Sequence, residues 1–462
     1  MSGKRQNNQN QLAFLFEEGS EAAGSETEGT ETLRAERGTE SPAENQRLME
    51  VVVDRENLRA ALQRVRANAG SPGIDGMTVD ELPEYLRQHW LAIGEQLLNG
   101  TYKPQAVQQV EIEKQDGSGK RKLGIPTVLD RFIQQAVLQV LQRRWDPTFS
   151  EHSYGFRPGR STRQAVSQAQ QYLGEGYSWV VDLDLEKFFD RVNHDKLMGQ
   201  VAQRISDRRM LKLIRAFLNA GVREGGLVSP TVEGTPQGGP LSPLLSNLVL
   251  DELDRELEAR GHRFVRYADD CNIYVRSERA GQRVMESVKR FITSKLKLQV
   301  NESKSAVAKP QQRKFLGFSF TSGRELKRKI APRAIVRFKE RVREITLRAK
   351  GQMRQTIEEL AQYVRGWRGY FGFCETPWVL RHLDSWVRRR VRCAFWQQWK
   401  TGRKRFAELV QRGVRRRLAA DTAGAHCGPW HVSQSPALDQ ALSNAYLASI
   451  GLPSLMEGRQ HD

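Results

Sequence analysis

The sequence predicts a mixed α/β core followed by a helical, strongly basic C-terminal segment. Three observations carry that expectation. Ser178–Leu185 alternates in strand fashion, and Arg263–Val275 holds two apolar, β-prone runs flanking the acidic pair Asp269-Asp270, as a hairpin does. Gln109–Glu113 and Lys120–Ile125 also alternate, and they flank Asp116-Gly117-Ser118-Gly119, the composition of a hairpin loop. Charge is concentrated in the C-terminal third: residues 333–418 hold 23 Lys and Arg against seven Asp and Glu.

Taken in order, residues 1–45 are polar, and the first 50 residues hold ten Glu against five Lys and Arg. Such a stretch cannot bury enough apolar surface to fold, so 1–45 reads as a disordered acidic tail. A helical pattern starts near residue 47. A Pro-Gly turn follows at 72–73, then the hairpin around 116–119, with Val110 and Ile112 on one face of its first strand and Leu123 and Ile125 on one face of the second. A helix is expected near 129–145. Residues 161–320 are α/β in character, and 321–418 helical. Helix starts are expected at Pro332 and at Thr356, whose hydroxyl and Glu359 have the spacing of a capping box. Residues 419–462 read as a less charged tail with short helical stretches.

The 462 residues carry a formal charge of +19 and a pI near 9.9. That points to a polyanionic partner. Aromatic residues interleave with the basic ones: Trp367, Tyr370, Phe371, Trp378, Trp386, Trp396 and Trp399. Such faces stack on splayed bases or fill a helical core. Cys271, Cys374, Cys393 and Cys427 form no C-x-x-C pair, and His426, Cys427 and His431 fit no standard metal spacing. Neither a zinc ribbon nor a disulfide framework is indicated. No run approaches the roughly 20 apolar residues of a membrane helix, so a cytoplasmic protein without membrane partners is expected.

The chemistry is concentrated in Tyr267-Ala268-Asp269-Asp270. Two adjacent anions at a turn between apolar strands call for a cation, and hard carboxylate oxygens suit Mg²⁺. A partner lies 85 positions upstream of Asp269. In Val180–Leu185, Val180, Asp182 and Asp184 share one strand face and Val181, Leu183 and Leu185 the other. A carboxylate at a strand end and a pair on a hairpin can converge on two Mg²⁺ ions, one activating a hydroxyl and the other stabilising a leaving phosphate oxygen.

Asp184 followed five residues later by Phe189, and then the Tyr-Ala-Asp-Asp hairpin, resembles the palm of reverse transcriptases. Gly234-Thr235-Pro236-Gln237-Gly238-Gly239-Pro240-Leu241 resembles that family's template- and nucleotide-positioning loop. Leu298–Ser305 resembles the motif carrying its lysine, here Lys304, and Phe315-Leu316-Gly317-Phe318 its primer grip. Gly73–Gly76, Ser153–Ser161 and Leu383–Arg390 resemble the bacterial group II intron branch. The resemblance spans roughly residues 50–455. It implies a right-hand polymerase: an N-terminal extension and fingers over 46–160, a palm with a mixed or antiparallel sheet over 161–320, and a helical thumb, the maturase X domain, over 321–418.

The resemblance also implies roles. Asp184 and Asp269 would hold metal, with Asp270 weaker or indirect because neighbouring strand residues point apart; Asp182 is the decoy. Lys304 would protonate departing pyrophosphate. Phe189 would gate against a ribose 2′-hydroxyl. Lys114 and Arg121 would hold the triphosphate, Gln237 and Gly238 would contact nucleotide or template, and Tyr267 would lie near the primer end. Arg388, Arg389 and Arg390 would grip intron RNA. The implied partners are group II intron RNA, an RNA template with DNA primer, dNTPs and target DNA. Two other readings share these motifs: a non-catalytic splicing factor, and a reverse transcriptase recruited to CRISPR or phage defence. Three clustered carboxylates argue against the first, and the thumb resemblance near 383–399 against the second. The family's endonuclease module, with its paired cysteines, is not expected after residue 419. Removing residues 1–45 is expected to leave primer extension by the remaining chain unchanged; a folded truncation that no longer extends a primer would contradict the tail reading.

Overall fold

The computed structural model describes residues 47–113, 119–224, 227–229, 233–234, 238–323, 325–347 and 353–456. The acidic tail and Lys114 and Gln237 lie outside the described residues. The chain divides into two compact units, one comprising residues to Ala165 together with Val181–Val307, the other Val166–Val180 and residues from Ala308 onward.

The first unit begins with three helices, α1 (Leu48–Val52), α2 (Arg55–Ala67) and α3 (Leu82–Asn99). Asp54 starts α2 by accepting from the Glu56 and Asn57 amides, the usual remedy for the unpaired donors of a helix N-terminus. Leu58, Ala61, Leu62 and Val65 form its buried stripe. Strands β1 (Val107–Glu113) and β2 (Lys120–Ile125) make the expected hairpin, in a register that sets Val110 opposite Leu123 and Ile112 opposite Arg121. Helix α4 (Val128–Trp145) follows. Thr127 and Asp130 cap it reciprocally, and the buried Asp130 carboxylate also accepts from the Tyr102 hydroxyl at 2.9 Å and the Gln105 amide at 3.1 Å. This ties the entry to β1 onto the start of α4.

Helix α5 (Thr162–Gly174) leads to β3 (Trp179–Leu183), followed by the short α6 (Phe188–Arg191), α7 (His194–Arg204) and α8 (Arg208–Leu218). Two three-residue strands, β4 (Val222–Glu224) and β5 (Leu227–Ser229), extend the hairpin into a four-stranded sheet of order β2-β1-β4-β5, with β1 and β4 parallel. Three residues are too few for a readable alternation, so the sequence does not announce them. Helix α9 (Ser242–Ala259) precedes β6 (Arg263–Tyr267) and β7 (Asp270–Val275), and α10 (Glu278–Phe291) leads to β8 (Ala306–Ala308). The second sheet has order β6-β7-β3-β8. Hence β3 lies beside β7, as the pairing of carboxylates requires. Val181 and Leu183 are buried while Asp182 and Asp184 are half-buried, matching the alternation; Val180 departs from it and is buried too.

The second unit is mainly helical. A small hairpin of β9 (Phe318–Phe320) and β10 (Arg328–Ile330) precedes α11 (Pro332–Leu347), α12 (Met353–Phe371) and α13 (Pro377–Gln398). Phe338 and Val342, Leu360 and Val364, and Leu383 and Val387 bury one stripe of each helix. The capping box at Thr356 fails: α12 starts three residues earlier and Thr356 is buried inside it. Of the interleaved aromatics, Trp367, Trp396 and Trp399 are core residues, whereas Trp378 and Tyr370 are exposed.

The described residues after α13 are folded, not trailing. α14 (Gly402–Gln411), α15 (Arg416–Ala423), α16 (Pro429–Val432), α17 (Pro436–Ala441) and α18 (Asn444–Ser449) follow, and Leu447, Leu452 and Leu455 are buried. The arginine run of α13 holds them, which corrects the expectation that it grips RNA. Arg388 is buried, donating from Nε to Asp384 Oδ2 at 2.7 Å. Asp384 Oδ1 in turn accepts from the Leu455 amide at 2.7 Å and the Ser454 hydroxyl at 3.2 Å. Arg389 lies 3.8 Å over the Trp430 ring and donates to the Trp430 carbonyl. Arg390 is half-buried and donates to Thr346 Oγ1. An arginine run reads as a phosphate clamp only while its side chains reach solvent; these do internal work. Asp384→Ala would leave Arg388 buried without its counter-charge, at roughly 3 kcal/mol. Denaturant unfolding of the intact chain should show that loss; a change below about 0.5 kcal/mol, typical of a surface pair, would contradict the staple.

Candidate active site

The β6–β7 register pairs Tyr267 with Asp270, so Ala268-Asp269 is a two-residue turn. Ala268 sits in the left-handed region, φ +57°, as the first position of such a hairpin turn demands. The turn points Asp269 inward, half-buried, and leaves Asp270 exposed as the first residue of β7. Burial first, and then the neighbouring charge of Asp184, push the Asp269 carboxyl above its ordinary pKa, while Arg266 and Lys304 pull it back.

Asp184 follows the end of β3, and its backbone is fixed from both sides. Its amide donates to Ser305 Oγ at 3.0 Å and its carbonyl accepts from the Asn301 amide at 2.8 Å. Leu185 bridges Val300 and the Glu186 amide donates to the Gln299 carbonyl. The segment resembling the lysine motif is thus docked along the acidic strand end, and Lys304 Nζ lies 3.7 Å from Asp184 Oδ2. That is an ion-pair distance and too long for a hydrogen bond.

Arg266 and its surroundings went unnoticed in the sequence. Its side chain is fully buried in the middle of β6. It donates from Nε to Asp254 Oδ1 at 2.7 Å and from one terminal nitrogen to Asp254 Oδ2 at 2.5 Å, a fork-on-carboxylate pair. The same guanidinium reaches Asn247 Oδ1, the Ser153 hydroxyl and the Ala268 carbonyl at 2.7–3.0 Å. Burial works against its charge, yet the Asp254 carboxylate outweighs burial and holds Arg266 above its ordinary pKa. Ser153 bridges Arg266 along the free edge of β6, with the Tyr154 amide donating to the Arg266 carbonyl. Gly155 then passes so close to the hairpin tip that a Cβ there would lie 2.3 Å from the Ala268 nitrogen. The available signal was a charged residue between Val265 and Tyr267, inside the apolar part of the strand.

The other expected residues fall as follows. Phe188 is the core phenyl; Phe189 is half-buried beside it, the ring centroids 5.3 Å apart. Gly238 has φ +137°, and a Cβ there would meet the Gly124 carbonyl at 2.5 Å. Its backbone is thus packed closely against β2 of the same unit. Arg121 is exposed on β2. Among the described residues no three His, Cys, Asp or Glu side chains form a metal cage. Asp184 and Asp269 lie near enough for their charges to interact, and Asp270 is exposed as the first residue of β7.

Comparison with known proteins gives the family of the chain. Residues 112–320 match the family described as reverse transcriptase (RNA-dependent DNA polymerase), and 335–413 match the maturase-specific domain of group II introns. Protein YkfC of Escherichia coli K12 is 33% identical over 302 residues, covering 57% of this chain and 79% of that protein. The chain belongs to the group II intron reverse transcriptase/maturase family. The intron-encoded protein LtrA of Lactococcus lactis is 31% identical over 323 residues, covering 56% of this chain but 54% of LtrA. The chain thus spans about half the length of that relative. Among solved structures, a partial Cas6-RT-Cas1–Cas2 complex aligns with 25% identity and a TM-score of 0.35 over 54% of this chain and 42% of that one. Within this reverse transcriptase/maturase the matched polymerase region contains every carboxylate of the site and the whole Arg266 cluster.

Arg266→Met would leave Asp254 buried and unpaired, costing roughly 3–5 kcal/mol. Arg266→Lys keeps the charge but loses the fork, so its stability is expected between the two. Thermal unfolding of the three proteins tests the order; a lysine variant as stable as wild type would show that the fork geometry is dispensable.

Proposed function

We propose that this chain copies RNA into DNA, adding deoxynucleotides to a primer, and that it binds group II intron RNA to assist splicing. The observation carrying the first half is the convergence of Asp184 and Asp269, with Lys304 beside them, within a reverse transcriptase family match. The carboxylate pair fits Mg²⁺: two hard oxygen donors raise each other's electrostatic cost, and Mg²⁺ is commonly held by one or two carboxylates plus substrate phosphates. When bound there, such ions would favour ionisation of the primer 3′-hydroxyl and offset charge building on the phosphate oxygens. Asp184 and Asp269 would hold them, with Asp270 acting at a distance.

The reaction joins the primer 3′-oxygen to the α-phosphorus of a dNTP and releases pyrophosphate. The chain's residues mainly position the reactants. Lys304, exposed at the mouth of the site, would supply a proton to pyrophosphate oxygen. Phe189, held beside the core Phe188, would occupy the space a ribose 2′-hydroxyl needs. Arg121 projects from β2 as a bidentate phosphate donor, with Lys114 and Gln237 as further nucleotide contacts. Tyr267 would lie by the primer end and Gly238 by the template.

The maturase match over 335–413 and the charge of the helical unit support RNA binding, and favour an intron role over recruitment to another system. Since Arg388, Arg389 and Arg390 hold the protein together, exposed Arg333, Arg365 and Arg381 are the better phosphate contacts. Target DNA for intron mobility is the remaining partner of this reading.

Asp184→Ala or Asp269→Ala should each abolish Mg²⁺-dependent primer extension; near-normal cDNA from either variant would sink the catalytic assignment. Phe189→Val should narrow the preference for dNTP over rNTP in single-nucleotide incorporation, and an unaltered ratio would return Phe189 to the core. Reversing Arg333, Arg365 and Arg381 to Glu should weaken intron RNA binding and flatten its salt dependence, since fewer counterions are released. Equal salt slopes in variant and wild type would move RNA binding elsewhere.

A further inference from the structure

We propose that Phe156 is a stacking platform for a nucleotide of the bound primer–template at the Tyr267 turn, an inference that rests on the polymerase reading above. Phe156 has two features that folding alone does not explain. Its backbone is left-handed, φ +58°, a conformation bulky residues rarely adopt. The residue is 52% exposed. Outliers of this kind persist only where the surroundings over-determine them, and they cluster at functional sites.

The surroundings do over-determine it. On one side, Gly155 is pressed against the hairpin tip and its carbonyl accepts from Asn247 Nδ2 at 2.8 Å. On the other, Arg157 is buried, donating to Asp146 Oδ1 at 2.8 Å and to the Ser153 carbonyl at 3.0 Å. Both neighbours are thus clamped, and between them Phe156 is left-handed and exposed. It arrives beside Tyr267, with ring centroids 6.5 Å apart and planes inclined by 45°. Tyr267 is the residue immediately before the turn carrying Asp269.

An apolar ring standing in water next to a polymerase's carboxylates suits a flat partner that arrives with the substrate. Base and sugar faces of nucleic acid are such partners, and stacking of this kind tolerates any base, as a polymerase copying every template needs. Phe189 lies on a different segment, so the two phenyl groups are separate devices. The primer–template is chosen over the incoming dNTP because Phe156 sits against Tyr267, on the primer-end side of the proposed site.

The test compares wild type with Phe156→Gly and Phe156→Trp. Glycine accepts φ +58° without strain, so Phe156→Gly should keep or raise the melting temperature. It should also weaken equilibrium binding of a labelled primer–template, measured by polarisation without dNTP, by about 10-fold. Phe156→Trp should restore most of the affinity. A lower melting temperature with unchanged affinity would make Phe156 a core residue and overturn the proposal. Unchanged affinity with a raised KM for dNTP would assign the ring to the incoming nucleotide and also overturn it. Wild-type chain that binds primer–template but does not extend it would defeat the polymerase reading while leaving the binding comparison readable.

Discussion

One buried guanidinium joins segments that the chain keeps far apart. Arg266 is in hydrogen-bonding contact with Ser153, Asn247, Asp254 and the Ala268 carbonyl, and its own backbone pairs with the 152–154 stretch. A buried charge tolerates no missing partner. The edge strand, helix α9 and the hairpin tip must therefore be in place together or not at all. Neutral side chains of similar size could pack there with less risk, but they would not hold the Ala268 carbonyl. That carbonyl lies next to Asp269, so the ion pair that stabilises the unit also holds the turn that carries this carboxylate.

The same locality explains why two adjacent aspartates differ so much. A two-residue turn with Ala268 in the left-handed region breaks the pleat between Asp269 and Asp270. Asp269 then faces the strand end that carries Asp184, while Asp270 begins a new strand on the outside. The electrostatic cost falls on Asp269, which is half-buried and near a like charge.

Much of this was legible in the sequence, and the failures have physical reasons. The strands at 107–113, 120–125 and 179–183 were readable from alternation, and those at 263–267 and 270–275 from two β-prone apolar runs around an acidic turn. The proximity of Asp184 and Asp269 was inferable from motif order. Arg266 was missed because burial of a charge depends on Asp254 and Asn247, which lie on a helix whose facing no local pattern reveals. Arg388 was misread for the converse reason: runs of arginine usually face water, and the Asp384 one turn earlier was the overlooked cue. The helix at 353–371 starts before Thr356, so the capping spacing there was coincidental.

Gly155 and Ala268 meet with no room for a side chain between them. The gap between the 153–161 segment and the hairpin is thus set by a missing atom, not by any attractive contact. Variation at these two positions is coupled in a one-sided way. A larger residue at 155 cannot be accommodated by trimming residue 268, because the obstruction is the Ala268 backbone nitrogen. Adaptive change in this enzyme's active-site spacing has to come from outside that junction, and mutational libraries that hold residue 155 fixed would sample the productive part of sequence space.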